Sequence, residues 1–441
     1  MRWNVPFGEL ILDRAVTETI DAAAFSGDGL RMCVRRPFSR ASLCLTSPTW
    51  WLALGLAARL ASAAASPANP PGTNTAPMLT EPATPPCDVA AELELIRTAH
   101  HLPALGAVVV LSNRVVALGV TGVRKAGETN LVTIADQWHH GSITKSMTAT
   151  LAAMLVEEGR IAWTTRIADV FPDLKVNAKW KAVTLEQLLS HHGGAPADLN
   201  PSGIWARVWL QSGPPREQRR FLLEQVTARP PEAAPGTKYI YSNAGYAIAG
   251  AMLEKATGEA WEDLMTKRLF QPLGMTSAGF GAPGTPDRLD QPRGHTFVGD
   301  KPRAVEPGRS ADNPVGIGPA GIVHCSLMDL AKFAAFHVAG DKGNGRLLKP
   351  ESFKKLHTGL VPMAASRGDR YALGWIVTAR DWAGGTALTH TGSNTMWFTT
   401  VWLAPKKDFA VITVTNIGGD QAAKATDEAA WKLIQEILLK K

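Results

Sequence analysis

The chain is poor in cysteine, with four in 441 residues. That scarcity excludes a disulfide framework and a thiolate-rich metal protein. A strong charge of one sign is also lacking, since 46 Lys plus Arg against 39 Asp plus Glu leave only +7. Over this length, that is too weak to point to nucleic acid. There is no long hydrophobic run: in the most apolar stretch, Pro48 and Arg59 leave only residues 49–58 uninterrupted, about half the ~20 residues a membrane span needs. No internal repeat suggests a solenoid or propeller. The His-Glu-x-x-His of zinc hydrolases is missing, and so is the Gly-x-Ser-x-Gly of α/β-hydrolases. The pairs His100-His101, His139-His140 and His191-His192 place adjacent side chains on diverging directions, so no metal and no cofactor is expected. What is present is an ordinary globular balance, 45% hydrophobic and 19% charged, on a chain long enough to bury a large core.

The first 86 residues read differently from the rest. Residues 32–65 carry Arg35, Arg36, Arg40 and Arg59 with no acid, an apolar middle at 41–58, and small residues at Ala61-Ser-Ala63 and Ala63-Ala-Ala65. This is the layout of a cleaved export signal, and Arg35-Arg36 also fits a twin-arginine head. Residues 1–31 are then an extension and 66–86 a proline-rich linker. A periplasmic or secreted protein without a stable membrane span is expected. Cys33 and Cys44 leave with the signal, and Cys87 and Cys325 are expected as free thiols.

Beyond residue 87 strands are expected at both ends and helices between them. Asp88 to His101 has helical spacing; Leu105–Leu111 and Val115–Thr121 form a hairpin around Ser112-Asn-Arg114. Ser142 opens a helix with an apolar stripe of Ile143, Met147, Leu151, Met154 and Leu155. Thr184-x-x-Gln187 and Ser326-x-x-Asp329 are helix starts, and Asn243 to Thr257 is helical. Four β runs follow at 371–379, 386–390, 396–403 and 409–415, then a helix from Asp420 to Leu439. The fold class that packs these is α+β: one antiparallel sheet of first and last strands, flanked by helices, with an inserted mostly helical domain. Asp198–Pro235 and Gly279–Pro319 read as loop-rich walls.

Three short motifs carry chemistry. In Ser142-Ile-Thr-Lys145 the three-residue helical spacing brings the amine back over a hydroxyl that needs a base to become a nucleophile. Tyr241-Ser-Asn243 stands at a turn into a helix in a chain with only four tyrosines. An ammonium about 4 Å from a phenol is worth roughly 4 kcal/mol at an effective dielectric of 20, enough to lower its pKa by about 3 before desolvation pushes back, so a tyrosinate base beside Lys145 is physically accessible. Asn243 supplies an amide that both donates and accepts. His390-Thr391-Gly392-Ser393 closes a strand, with Gly392 letting substrate lie against the edge and the Ser393 N–H aimed at an oxyanion. Two decoys are set aside: Ser352-Phe-Lys-Lys355, in a lysine-rich stretch, is read as solvated helix, and His357-Thr-Gly359 follows a helix-like lysine run with no strand before it. His140 and His191 can pack near the site but are read as core or surface histidines.

These motifs in this order resemble the serine penicillin-recognising superfamily, nearest to class C β-lactamases and their esterase and DD-peptidase relatives. The resemblance runs from about residue 88 to 438 and includes Leu155-Val-Glu-Glu-Gly159, Ile167-Ala-Asp-Val-Phe-Pro172, Leu188-Leu-Ser-His191 and Pro235-Gly-Thr237. It implies a catalytic unit over 87–441, with Ser142 the acylated nucleophile and Lys145 and Tyr241 the proton-handling pair. Asn243, His390 and Thr391 become substrate contacts, and the backbone N–H groups of Ser142 and Ser393 the oxyanion hole. Class C β-lactamases usually have lysine at the His390 position; histidine is mostly neutral at pH 7, which turns the expectation toward an ester, D-peptide or β-lactam-like substrate rather than a dedicated β-lactamase. The alternative is a slow penicillin-binding or peptidoglycan-sensing receptor.

Overall fold

In the strands Ala104–Leu111 and Phe409–Thr415, nearly every position is buried, and the apolar residues divide by parity. Val108, Val110, Ile412 and Val414 join one core; Leu105, Ala107, Val109 and Val411 join a second. Successive side chains of a strand point to opposite faces, so a sheet apolar on both must be covered on both. The computed structural model describes residue 79 and residues 85–440, apart from 300, 345, 346, 364, 365 and 367. The expected extension, export signal and most of the linker lie outside the described residues.

The sheet has nine strands: β1 Cys87–Asp88, β2 Ala104–Leu111, β3 Arg114–Gly122, β4 Val361–Pro362, β5 Arg370–Tyr371, β6 Ile376–Arg380, β7 Gly385–Ser393, β8 Phe398–Ala404 and β9 Phe409–Thr415. Their order is β1-β3-β2-β9-β8-β7-β6-β5-β4. Every pairing is antiparallel except β1 with β3. The seam where first strands meet last is β2 with β9, Val108 opposite Ile412. Of the helices, α1 Ala90–Ala99 and α6 Asp420–Leu433 cover one face; α2 Thr144–Glu157, α4 Asn243–Thr257 and α5 Leu327–Ala339 belong to the core on the other, and α3 Pro215–Thr227 packs on α4. This is the α+β architecture expected from the sequence.

Several local expectations change. Helix α2 is buried on all sides from Thr144 to Leu155, because it runs through the middle of the helical region instead of presenting one stripe to a core. The first loop-rich stretch contains Ile204–Trp209 and α3; Pro215 sits at the first turn of a helix, where its missing N–H has no helical partner to lose. The second contains a hairpin of Gly294–Val298 with Lys301–Val305. The β run from 371 is interrupted by a turn in which the Ala372 N–H donates to Trp375 O at 2.8 Å. Among the described residues Cys87 and Cys325 are free, no helix is long and apolar enough to cross a membrane, and no group of acidic, His and Cys side chains could hold a metal.

Candidate active site

The Ser142 turn is fixed before the helix begins. Gly141–Ile143 is a single 3-10 turn leading into α2. It is tied to the neighbouring strand Val323–Ser326 by His140 N–H donating to Val323 O at 2.9 Å and Val323 N–H donating to Thr144 Oγ1 at 3.1 Å. Gly141 has φ +48, and its missing Cβ would lie 2.3 Å from Ser393 N; only glycine lets the end of β7 approach so closely. Gly392 does the same from the other side, since a Cβ there would lie 2.0 Å from His140 O and 2.9 Å from Ser142 N. The expectation that Gly392 makes room for substrate is therefore corrected: the room it makes is filled by the nucleophile's own turn.

Lys145 is fully buried. Its Nζ lies 2.9 Å from Ser142 Oγ, 2.8 Å from Asn243 Oδ1 and 2.8 Å from Ala320 O. Both carbonyl oxygens can only accept, so a neutral amine spends its two N–H groups there and turns its lone pair to the Ser142 hydroxyl. Burial holds its pKa well below the ordinary lysine value, because the charged form is the one that loses solvation.

Tyr241 overturns the tyrosinate expectation. Lys145 Nζ sits 4.8 Å from the centre of the Tyr241 ring, yet burial pushes the phenol pKa up, and a hydrogen bond with Ser142 pulls it down by less. The Coulomb gain assumed a charged lysine; in a buried site desolvation neutralises lysine and tyrosine alike, and the attraction disappears with the charges.

The sequence reading allowed His191 a place near the site but gave it no role there. Its backbone carbonyl accepts from Ile240 N–H at 2.9 Å, and its Nδ1 accepts from Ser242 N–H at 3.1 Å. Tyr241 is thereby gripped on both sides. The His191 ring lies 4.3 Å from Tyr241, 4.6 Å from Tyr371, 5.2 Å from Tyr246 and 5.8 Å from Tyr239, ring centre to ring centre, so all four tyrosines of the chain converge on one imidazole. Ser242 caps α4 by accepting from Gly245 N–H at 3.2 Å, which places Asn243 in the first turn facing Lys145. The clustering of three tyrosines within residues 239–246 was the available signal.

On the opposite wall His390 is buried; its Nδ1–H donates to Thr391 O at 2.6 Å and its Nε2 accepts from Tyr371 OH at 3.1 Å. Burial lowers its pKa to about 3, so His390 is an uncharged group at neutral pH. Strand β6 pairs with β7 only as far as Thr389, which leaves the His390–Ser393 stretch beside Ser142 without a strand partner on that side. Thr391, Ser142, Tyr241 and Asn243 are half-buried. The decoys lie elsewhere: Ser352 Oγ, on the helix Pro350–His357, donates to Glu157 of α2, and His357 Nε2 lies 2.9 Å from His337 Nδ1.

Buried neutral histidines make the fold acid-sensitive. Burial holds His140 and His390 at about 3 and His295 at about 4. Folded values below the unfolded 6.5 mean that the unfolded chain binds more protons between them. Stability is full above pH 6.5 and falls as pH drops, by about 1.4 kcal/mol per pH unit for each such group. The melting temperature is expected to decline between pH 6.5 and 4.5, above the range where carboxylates titrate; a flat profile there would show these histidines to be solvated.

Comparison with known proteins bears on the family and the fold. The family model described as Beta-lactamase matches residues 89–436. Penicillin-binding protein 4 of Amycolatopsis lactamdurans is 28% identical over 342 residues, 76% of this chain and 86% of that protein. The unguisins hydrolase ungD of Aspergillus violaceofuscus is 25% identical over 67% of this chain, but the match spans only 55% of the fungal protein. Among solved structures, the octameric penicillin-binding protein homologue from Pyrococcus abyssi has a TM-score of 0.65 at 23% identity, covering 79% of each chain. A D-stereospecific amidohydrolase from Streptomyces sp. has a TM-score of 0.61 at 20% identity over 77% of this chain and 98% of its own. The chain belongs to the Beta-lactamase family, within the superfamily of serine β-lactamases and penicillin-binding proteins.

Proposed function

We propose that the protein hydrolyses an ester or amide through an acyl-enzyme on Ser142. The observation that carries this is the Lys145 amine 2.9 Å from Ser142 Oγ with both other hydrogen-bond directions spent on carbonyls. Ser142 Oγ attacks the substrate carbonyl while its proton passes to Lys145 Nζ. The tetrahedral oxyanion is held by the N–H groups of Ser142 and Ser393, which the two glycines bring together. Tyr241, a neutral phenol hydrogen-bonded to Ser142, relays the proton to the leaving oxygen or nitrogen. Water then attacks the acyl group by the reverse path and frees Ser142. Asn243 fixes Lys145 and contacts the acyl chain, and an extended substrate lies along the His390–Ser393 stretch, with Thr391 exposed to it.

Uncharged His390 offers no cation to a substrate carboxylate, so carboxylate-bearing β-lactams are expected to be poor substrates. The test is a panel of p-nitrophenyl esters, nitrocefin and a D-Ala-D-Ala peptide. A neutral ester or amide should be hydrolysed at least ~10-fold more efficiently than nitrocefin, the value of one lost charge-assisted contact. Nitrocefin as the best substrate would make the protein a β-lactamase, and stoichiometric acylation without turnover would make it a receptor. Export to the periplasm or beyond is part of the same proposal, supported by the basic and apolar layout of residues 32–65.

A further inference from the structure

Tyr371 stands at the end of β5, fully buried, and its backbone is held from several sides. It pairs with Ile376 of β6 and Val361 of β4, and its carbonyl accepts from Leu360 N–H at 2.9 Å. The turn that follows it presses on α2 at Gly374, where φ is +79 and a Cβ would lie 2.5 Å from Ser146 Cα and 2.9 Å from Lys145 C. The Tyr371 ring packs 4.6 Å from His191 and edge-on to Tyr241 at 6.5 Å, centre to centre. One phenol thus sits against the nucleophile's helix, the Tyr241 turn and β7, and dense packing leaves it little freedom to move.

Its hydroxyl decides where the His390 proton lies. His390 Nδ1 is 2.6 Å from Thr391 O, and Nε2 is 3.1 Å from Tyr371 Oη. A carbonyl oxygen only accepts, so the single proton of the uncharged ring sits on Nδ1 and Nε2 is an acceptor. Tyr371 Oη also meets Tyr246, but that hydroxyl already donates to Leu189 O at 2.6 Å and receives the Gly374 N–H. The imidazole nitrogen is the more basic acceptor, and Tyr371 is its donor. His390 is 3% exposed, and both of its nitrogens are spent inside the protein.

Without the phenol proton, Nε2 becomes a buried acceptor with no donor, which is costly. The alternative is a ring that shifts its proton to Nε2 and turns its other lone pair against Thr391 O. Either change acts two residues before Ser393, whose N–H is set against the Ser142 turn.

We propose that Tyr371 is a positioning residue: its hydroxyl holds His390 in the Nδ1–H form, so that the imidazole braces the Thr391 carbonyl and neither touches substrate nor moves a proton. The effect on turnover rests on the hydrolase reading; the placement of the proton does not. An ester or amide lying along β7 then meets the strand's backbone and Thr391, and no imidazole nitrogen.

The test reads the full chain, labelled with ring-¹⁵N histidine, by long-range ¹H–¹⁵N correlation at neutral pH, with His390→Gln identifying the His390 signals. A protonated Nδ1 and an unprotonated Nε2 shifted by an accepted hydrogen bond are expected. In Tyr371→Phe that Nε2 should lose the shift or gain the proton. In the same variant kcat for p-nitrophenyl acetate should fall at least ~10-fold, the scale of a buried acceptor left without its donor. KM should stay within about twofold, because the oxyanion that Ser393 serves forms only in the transition state. A protonated or unshifted Nε2 in the unsubstituted chain would overturn the proposal, and that spectrum decides the matter if Tyr371→Phe does not fold. A folded Tyr371→Phe with unchanged His390 signals, or with full kcat, would also overturn it and leave Tyr371 a packing residue. Failure of the hydrolase proposal shows separately, as absence of ester turnover in the unsubstituted chain, and the spectra still report the proton.

Discussion

Replacing Ser142 by alanine is expected to lower ester turnover by at least ~10³, the scale seen when a nucleophile is removed from a preorganised site. The expectation rests on how much of the structure converges on this one hydroxyl. The 3-10 turn presents it and Lys145 Nζ meets it at 2.9 Å. Two close backbone approaches set Ser393 against it. The control is Ser352→Ala. Its residue has the same three-residue spacing to a lysine, but Ser352 Oγ donates to Glu157 and Lys355 pairs with Glu186. Its turnover should stay within about twofold, as surface changes away from such features have small effects. Loss of activity in the Ser352 variant with retention in the Ser142 variant would reverse the assignment.

Lys145→Met should cost about 10²–10⁴ in kcat/KM, the usual worth of a positioned general base. The thioether fills a similar space and keeps the site apolar, so folding is preserved better than by a shorter side chain. Tyr241→Phe should cost less, because a phenol whose pKa burial has raised is protonated at neutral pH and acts as relay, not as base. The reverse order, Tyr241 more damaging than Lys145, would restore the tyrosinate mechanism. The pH profile separates the two as well. The base is competent only when uncharged, so kcat/KM falls as pH drops through the lowered lysine pKa. That acid limb should vanish in Lys145→Met while residual activity remains.

How much of this was legible in the chain depended on whether a feature is local. Helix α4, from Asn243 to Thr257, follows from a serine cap and a terminal glycine, both readable within a few residues. The β2–β3 hairpin around Ser112-Asn113 is equally local. The spacing of Ser142 to Lys145 allowed their contact but did not fix it, since Ser352 and Lys355 share the spacing and bond to Glu157 and Glu186 instead. The protonation states did not follow, since they depend on desolvation by residues far away in sequence, and the tyrosinate expectation failed for that reason. Gly392 looked like a place for substrate because the 3-10 turn that fills the space belongs to a segment some 250 residues earlier. His191 read as an ordinary histidine since its partners, Tyr371 above all, come from separate elements.

The most direct measurement is intact mass followed by peptide mapping after brief exposure to a fluorophosphonate. One adduct per chain on the peptide holding Ser142, absent in Ser142→Ala and slowed severely in Lys145→Met, is the result predicted here. An adduct on any other residue, or unimpaired labelling of the Lys145 variant, would contradict a nucleophile activated by that amine.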